Sequence, residues 1–474
     1  MTRRFLHLAV LAVLGVGCVS EQEEEEQVAA GELVSTLDDP SKGVHTDALL
    51  VMRDGKILSE SYARGYGADT KHLSWSMAKT VAGILVAQEI DRGTMSLSSP
   101  IRAWLPDIQS PARVVDVLQM SSGIAFSEEY SGVPVNSDAT RMLYMEGPKN
   151  GFVPFIATLP LRTDAKPGDH FYYSSGDSNL LMAALRSVAP TQEAYDAIPF
   201  ERFFQPLGIS HATFEQDSKG VFVGSSYVYL SARDFGKIGS LLVERGKLGE
   251  KTIIPGWYFD LMTHVAPGVS ARALPGTSQT RAYSSMVTTN LPIPARGLPS
   301  EYADLPADAL LMIGHQGQLV VASPSQKLVI VRLAMDKGDV FDRKQFFAKV
   351  VALVEAKSGP LSTARKENPA QYDGAPAAPA PDAAAEGAKI ADYLKVPHLI
   401  RALAAKEYCS CIKVVGRSED DCNDDLRASL PILPTLRVHD DGSVSSVLGT
   451  GLFGKKSVAV YRGPELGCTL TDSE

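Results

Sequence analysis

Several landmarks that usually identify an enzyme are missing from this chain. It has no Walker-type glycine-rich loop and neither an HExxH nor an HxxEH segment, so nucleotide cradling and zincin chemistry have no foothold. No G-x-S-x-G segment occurs, which removes the usual nucleophile elbow. Positive charge is in deficit: 46 Lys and Arg face 55 Asp and Glu, for a net charge of -9. That balance argues against nucleic acid as a partner. No internal repeat is visible, and nothing in the sequence asks for a metal or a cofactor. Cysteine is scarce, with five in 474 residues and none between Cys18 and Cys409. Charged residues make up 21% and hydrophobic ones 45%, as in an ordinary soluble globular chain.

Long apolar runs are also lacking. The stretch from Phe5 to Val16, behind Arg3 and Arg4, is too short to span a bilayer stably and reads as a signal peptide. It ends in Leu14-Gly15-Val16-Gly17-Cys18, which resembles the bacterial lipobox. Residues 1–18 are therefore expected to direct export, with Cys18 lipidated and the protein held at the cell envelope, on the periplasmic or outer surface. Residues 19–44, with the acidic run Glu21 to Glu26, read as a solvated spacer. An exported chain meets an oxidising compartment, so Cys409, Cys411, Cys422 and Cys468 are expected to form two disulfides. Cys409 and Cys411 sit too close to pair comfortably with each other, so each is expected to join Cys422 or Cys468. A four-thiolate zinc site is the rival reading. Proline and alanine dominate residues 358–388, an extended, uncoupled linker between a large domain (45–357) and a small one (389–474).

Periodicity outlines the large domain. Ala48–Met52 and Lys56–Tyr62 are strand-like and flank Asp54-Gly55, a strong hairpin signal. A helix is expected from Ser76 to Arg92, with Met77, Val81, Ile84, Leu85 and Ile90 at helical spacing and Gly93 at its end. Residues 100–262 read as mostly helical. Leu311–Ala322 reads as one strand, turning at Ser323-Pro324-Ser325 into Lys327–Leu333, before a last helix from Arg343 to Glu355. Strands at both ends with helices between imply an α+β domain whose terminal strands share one antiparallel sheet.

Three segments carry candidate chemistry. Ser76-Met77-Ala78-Lys79 is an S-x-x-K tetrad at a helix start, a spacing that puts both side chains on one helix face. A serine hydroxyl needs a base to become a nucleophile. A buried lysine can serve, because desolvation disfavours its charged form. The tetrad recurs at Ser410 to Lys413, between cysteines on an expected strand, where a spacing of three would place the side chains on opposite faces. Tyr172-Tyr173-Ser174-Ser175 precedes a helix and offers a tyrosine for proton relay. Gly314-His315-Gln316-Gly317-Gln318 opens the C-terminal hairpin strand.

Tetrad, Tyr-Ser element and His-x-Gly strand, in this order, resemble the serine β-lactamase and penicillin-binding-protein superfamily. Ser74–Lys79, Leu118–Gly123, Gly224–Tyr227, Ser231–Asp234 and Gly314–Gln318 look most like its 6-aminohexanoate-dimer hydrolase and esterase branch. The resemblance implies an antiparallel sheet flanked by helices, a helical lobe, and a cleft between them. It implies Ser76 as the acylated serine, Lys79 as its partner, Tyr173 as the catalytic tyrosine (Tyr172 as fallback), and His315–Gly317 on the substrate strand. The backbone N–H groups of Ser76 and Gln318 would form the oxyanion hole, and Ser175 and Gly317 would touch substrate. The substrate is expected to be a small-molecule or short-peptide amide or ester. His315 stands where β-lactamases carry the Lys of Lys-Thr-Gly, so a penicillin-type carboxylate should be held poorly. A cell-wall D,D-peptidase or weak β-lactamase, and a catalytically silent binding protein, are the competing readings.

Overall fold

The computed structural model describes residues 38–128, 134–271, 281–338, 340–367, 393–449 and 455–471. Cys18, the signal segment and most of the spacer and the linker lie outside the described residues.

Asp54 and Gly55 both adopt positive φ (51° and 74°), the backbone a tight hairpin turn demands. They join β1 (Thr46–Arg53) to β2 (Lys56–Tyr62). The partners of this hairpin come from the far end of the sequence. β3 (Ala282–Ser284), β4 (Val287–Thr289), β5 (Leu310–Ile313), β6 (Leu319–Ser323) and β7 (Leu328–Ala334) complete a seven-stranded sheet. Its order is β2-β1-β7-β6-β5-β4-β3, and every pair is antiparallel. The expected single strand over Leu311–Ala322 is broken: Gly314–Gln318 turns the chain so that β5 and β6 pair with each other, Ile313 opposite Leu319.

Side chains alternate across this sheet with the period of two that a strand imposes. Leu49, Val51, Leu311, Val321 and Ile330 pack on one face. The residues Phe346, Phe347, Val350 and Val354 of the C-terminal helix cover that face. Leu50, Met312, Val320, Val329 and Val331 point the other way, into a larger core shared with the helical lobe. The lobe is centred on α1 (Ala78–Asp91), where 11 of 14 residues are buried. The first ten residues of α1, Ala78–Ala87, are all buried, as a mostly apolar helix inside a core should be, and only its C-terminal turn reaches the surface. Each fully buried Val, Ile or Leu here is worth about 1.5–3 kcal/mol. α2 (Ser175–Val188) packs against it, and α3 (Ala232–Val243) lies across the sheet.

The small domain consists of α4 (Val396–Ser410), α5 (Glu419–Ser429) and a four-stranded antiparallel meander: β8 (Thr435–Val438), β9 (Val444–Val447), β10 (Lys456–Tyr461) and β11 (Cys468–Thr471). Disulfides Cys409–Cys468 and Cys411–Cys422 tie helix to sheet and helix to helix. The four sulfurs are thus engaged as the disulfide reading expects, not as zinc ligands. The domain is not uncoupled from the large one. Leu399, Tyr408 and Leu470 belong to the same hydrophobic cluster as α1. Buried Lys406 pairs with buried Glu215 of the large domain, which also accepts hydrogen bonds from Ser410 Oγ and Cys468 N–H, each 2.8 Å. At the other edges, Asp38 accepts from Thr46 N–H (2.8 Å) and Arg53 donates to Gly359 O (2.8 Å), so residues assigned to spacer and linker begin as parts of the fold.

Candidate active site

Ser76 occupies a single 3-10 turn, Trp75–Met77, that feeds directly into α1. The expected helix thus begins two residues after Ser76. Trp75 holds φ at 45°, an uncommon conformation for a bulky residue and one that collects at functional sites. Two neighbours over-determine this turn. Ser74 N–H donates to Val228 O (2.8 Å) and Ser74 Oγ to Ser226 O (2.9 Å). The Trp75 indole N–H donates to Gln316 Oε1 (2.8 Å), which joins the serine turn to the His315–Gly317 turn.

Lys79 lies one helical turn from Ser76, and its amine is 2.8 Å from Ser76 Oγ. The lysine is buried, with 1% exposure. Its Nζ also donates to Ser175 Oγ (3.0 Å) and to Ser225 O (3.1 Å). The Tyr173 ring centroid is 4.8 Å from the same nitrogen, and that ring packs edge-on against buried Tyr283. Tyr173 lines the cleft with Ser76, whereas Tyr172 lies under the Arg162 guanidinium and its hydroxyl is buried without a partner. Tyr173 is therefore the tyrosine of the pair that meets the site.

Ser175 is the first residue of α2, after the N-cap Ser174, whose Oγ accepts from Asp177 N–H (3.0 Å). Its own hydroxyl donates to Glu128 Oε1 (2.8 Å), and its N–H donates to Glu128 Oε2 (2.5 Å). Glu128 is not among the expected site residues. It lies in a loop with no periodicity or motif around it, and only the folded chain brings it to Ser175. Beneath it, Asp177 is pushed up to about 7 by burial, against the hydrogen bonds from Ser122 and Ser174 that favour its charged form.

His315 is exposed, edge-on to Trp75 at 5.6 Å between ring centroids. It sits on a 3-10 turn instead of an extended strand. Gly317, with φ 86°, closes that turn over the buried Arg332–Asp336 ion pair; a Cβ there would lie 2.0 Å from Asp336 Oδ2. Gly317 is thus demanded by packing. Gln318 is buried, its amide tied to the Ala334 N–H (3.1 Å) and carbonyl.

The cleft holding Ser76, Tyr173, Ser175, Glu128 and His315 has a volume of about 1240 Å³. Arg281, Lys337 and Arg343 line it as well, so a cleft that carries His315 in place of lysine is not short of cationic side chains. Ser410, the other tetrad serine, ends a helix, contrary to the expected strand. It is 1% exposed, its hydroxyl is given to Glu215, and its lysine neighbour is Lys406. Among the described residues, no group of three His, Cys, Asp or Glu could hold a metal ion, and no helix is long and apolar enough to cross a membrane.

Comparison with known proteins identifies the family and the fold. The beta-lactamase family model matches residues 22–353. The 6-aminohexanoate-dimer hydrolase of Paenarthrobacter ureafaciens is 26% identical over 248 residues, which span 50% of this chain and 61% of that enzyme. A Bacillus anthracis protein thought to be a 6-aminohexanoate-dimer hydrolase superposes at a TM-score of 0.54 with 18% identity, over 70% of this chain and 83% of its own. The structure of SurE with D-Leu, 17% identical at a TM-score of 0.51, covers 95% of this chain and 98% of its own. The likeness in fold therefore extends into the small domain.

Proposed function

Because the chain belongs to the beta-lactamase family, we propose that it is a serine hydrolase that cleaves an amide or ester through an acyl-enzyme on Ser76. One observation carries the reading: the hydrogen-bond inventory of Lys79. Its three polar neighbours are Ser76 Oγ, Ser175 Oγ and Ser225 O. The Ser225 carbonyl can only accept. Ser175 Oγ has committed its proton to Glu128, so toward Lys79 it too can only accept. A neutral lysine amine has two N–H groups and one lone pair. With two of its bonds directed at these acceptors, the remaining bonding position of the Lys79 nitrogen faces Ser76 Oγ: an N–H while the amine is charged, and a lone pair once it has given up a proton. That is the arrangement a general base requires.

Catalysis then follows in two halves. Ser76 Oγ attacks the substrate carbonyl as its proton passes to Lys79. The backbone N–H groups of Ser76 and Gln318 receive the developing oxyanion. The C–N or C–O bond breaks, and the proton travels to the leaving group by way of Lys79 and Tyr173, whose ring lies beside that amine. Water repeats the sequence on the acyl-enzyme and frees Ser76. An amide substrate accords with the relative named for a 6-aminohexanoate dimer. A second reading, a peptidase or lactamase acting on a carboxylate-bearing substrate, is favoured by Arg281, Lys337 and Arg343 along the same cleft.

The test is a panel of p-nitrophenyl esters, linear amides, D-Ala-D-Ala peptides and nitrocefin, with labelling by a fluorophosphonate. Labelling of the native protein and none of Ser76→Ala is the expected result. A native protein that neither labels nor turns over any of the panel is a binding protein, and the reading fails. We further propose export with a lipid anchor at Cys18, on the strength of the apolar run before it. Detergent-phase partitioning that Cys18→Ala leaves unchanged would refute the anchor.

A further inference from the structure

One face of α4 looks into the active-site cleft. The residues that line it are Val396, Leu399, Ile400, Leu403, Glu407 and Ser410; Val396, Ile400, Leu403, Glu407 and Ser410 follow at spacings of four and three on a single helical stripe, with Leu399 beside Ile400. The stripe changes character along its length. Its C-terminal end is polar: Ser410 belongs to the Lys406–Glu215 cluster, and Glu407 accepts from Tyr144 OH (2.8 Å). This polar end lies on the serine side. The Lys406 amine is 3.9 Å from the Tyr227 ring, which lies 6.2 Å from the Trp75 ring, and Trp75 precedes Ser76. The other end, Val396 to Leu403, is wholly apolar and runs for about two turns, on the order of 10 Å, of a stripe about 21 Å long from end to end. Leu430 and Pro431, just past α5, extend that apolar wall.

A stripe of this kind normally disappears into a core. Here Val396, Leu403, Leu430 and Pro431 keep part of their surface open to the cleft that also contains Ser76. The wall is also fixed in place, because the disulfide Cys409–Cys468 and the buried Lys406–Glu215 pair hold α4 to the large domain. We infer that the small domain is the distal half of the substrate site, and that it takes an apolar arm of the ester or amide that Ser76 cleaves. The substrate class is thereby narrowed to one with a reacting carbonyl at one end and an extended hydrocarbon or bulky apolar group at the other. This inference rests on the serine hydrolase reading for the identity of the reacting end, but not for the apolar wall itself.

The experiment uses the full chain. The ratio of kcat/KM for p-nitrophenyl octanoate over p-nitrophenyl acetate is measured in native protein, Leu403→Asp and Val396→Asp. The ratio is expected to exceed one in native protein and to fall at least tenfold in Leu403→Asp. Val396, partly exposed near the helix start, serves as the second variant should Leu403→Asp fail to fold. In parallel, the Kd of a fluorescent undecanoic-acid probe is measured in the Ser76→Ala background, with and without each substitution, and is expected to rise at least tenfold. The hydrolase reading fails on its own panel and fluorophosphonate labelling; where the native protein is inactive on both esters, the probe alone decides this inference. A chain-length ratio and a probe Kd that both substitutions leave unchanged overturn the inference.

Discussion

Ser76→Ala takes away the hydroxyl that faces both Lys79 and the cleft, so turnover of every substrate is expected to fall by at least about a thousandfold. Ser410→Ala separates the two serines. It removes a hydrogen bond to the Glu215 carboxylate and another from the Lys406 amine, each worth about 1.5–3 kcal/mol of stability, and should leave kcat/KM within about threefold. Ester kinetics beside urea melts of both variants check this, and an active Ser76→Ala protein would sink the assignment. Glu128 offers a subtler case. Its carboxylate accepts the Ser175 hydroxyl proton, and so decides which way that proton points. Glu128→Gln can donate to Ser175 Oγ, which lets that hydroxyl turn its own proton toward Lys79 and compete for the lone pair. The expected outcome is a kcat lowered at least about tenfold, some 1.4 kcal/mol at the transition state, with KM and melting temperature little changed. Single-turnover acylation measures it. Equal acylation rates in the two proteins would show that Glu128 has no positioning role.

At the scale of elements, what could be read from the sequence was whatever is encoded locally. Asp54-Gly55 makes its hairpin because the turn type needs positive φ at both positions. The tetrad spacing puts Lys79 beside Ser76 because a helical turn does so wherever it occurs. The break in Leu311–Ala322 escaped, since its cause is a buried Arg332–Asp336 pair reaching from another strand to hold Gly317. Ser410 escaped for a like reason: a run of residues around two cysteines looks strand-like until the disulfides are placed in three dimensions. Glu128 and the cations Arg281, Lys337 and Arg343 gather around the cleft from separate segments, which no linear motif connects. The start of α2 carries a prediction of its own. Asp177, in its first turn, is pushed up to about 7 by burial, while an ordinary Asp titrates near about 3.9. Between those values the folded chain binds the proton and the unfolded chain does not. The stability this group contributes is therefore full below about pH 4 and is lost as pH rises through about 7. Asp177→Asn keeps the acceptor for Ser122 and Ser174 and cannot ionise. Relative to native protein it should gain stability steadily from about pH 5 to about pH 7 and level off above that. Melting temperatures across that range will show it; a constant difference would contradict the argument.

For the whole molecule the question is what joins the two domains. One buried charge pair outweighs the neutral contacts around it, because the energetics of charge burial are lopsided. Lys406 and Glu215 are both buried, and their partners are Ser410 Oγ, Cys468 N–H and the ring of Tyr227. Taking two charges out of water is costly, and their attraction roughly repays it. Removing one partner leaves the cost without the repayment. Lys406→Met strands a carboxylate in the interface, and Glu215→Gln strands an ammonium; each should cost about 3–5 kcal/mol. The double variant has neither charge, while the amide that Glu215→Gln introduces can still accept from the Cys468 N–H. It should recover more than half of the loss, so the double-mutant cycle is expected to be strongly non-additive. The same cycle tests whether the domains unfold together. Glu215 N–H pairs with Tyr227 O (2.9 Å), two residues from the Ser225 carbonyl that holds Lys79. A disturbance at the domain junction thus has a short path to the Lys79 amine. In either single variant, activity should be lost at a lower urea concentration than in native protein and in step with the global transition seen by far-UV circular dichroism. Additive losses in the cycle, or an activity that outlasts the unfolding of the small domain, would mean that the large domain keeps its site without the small one.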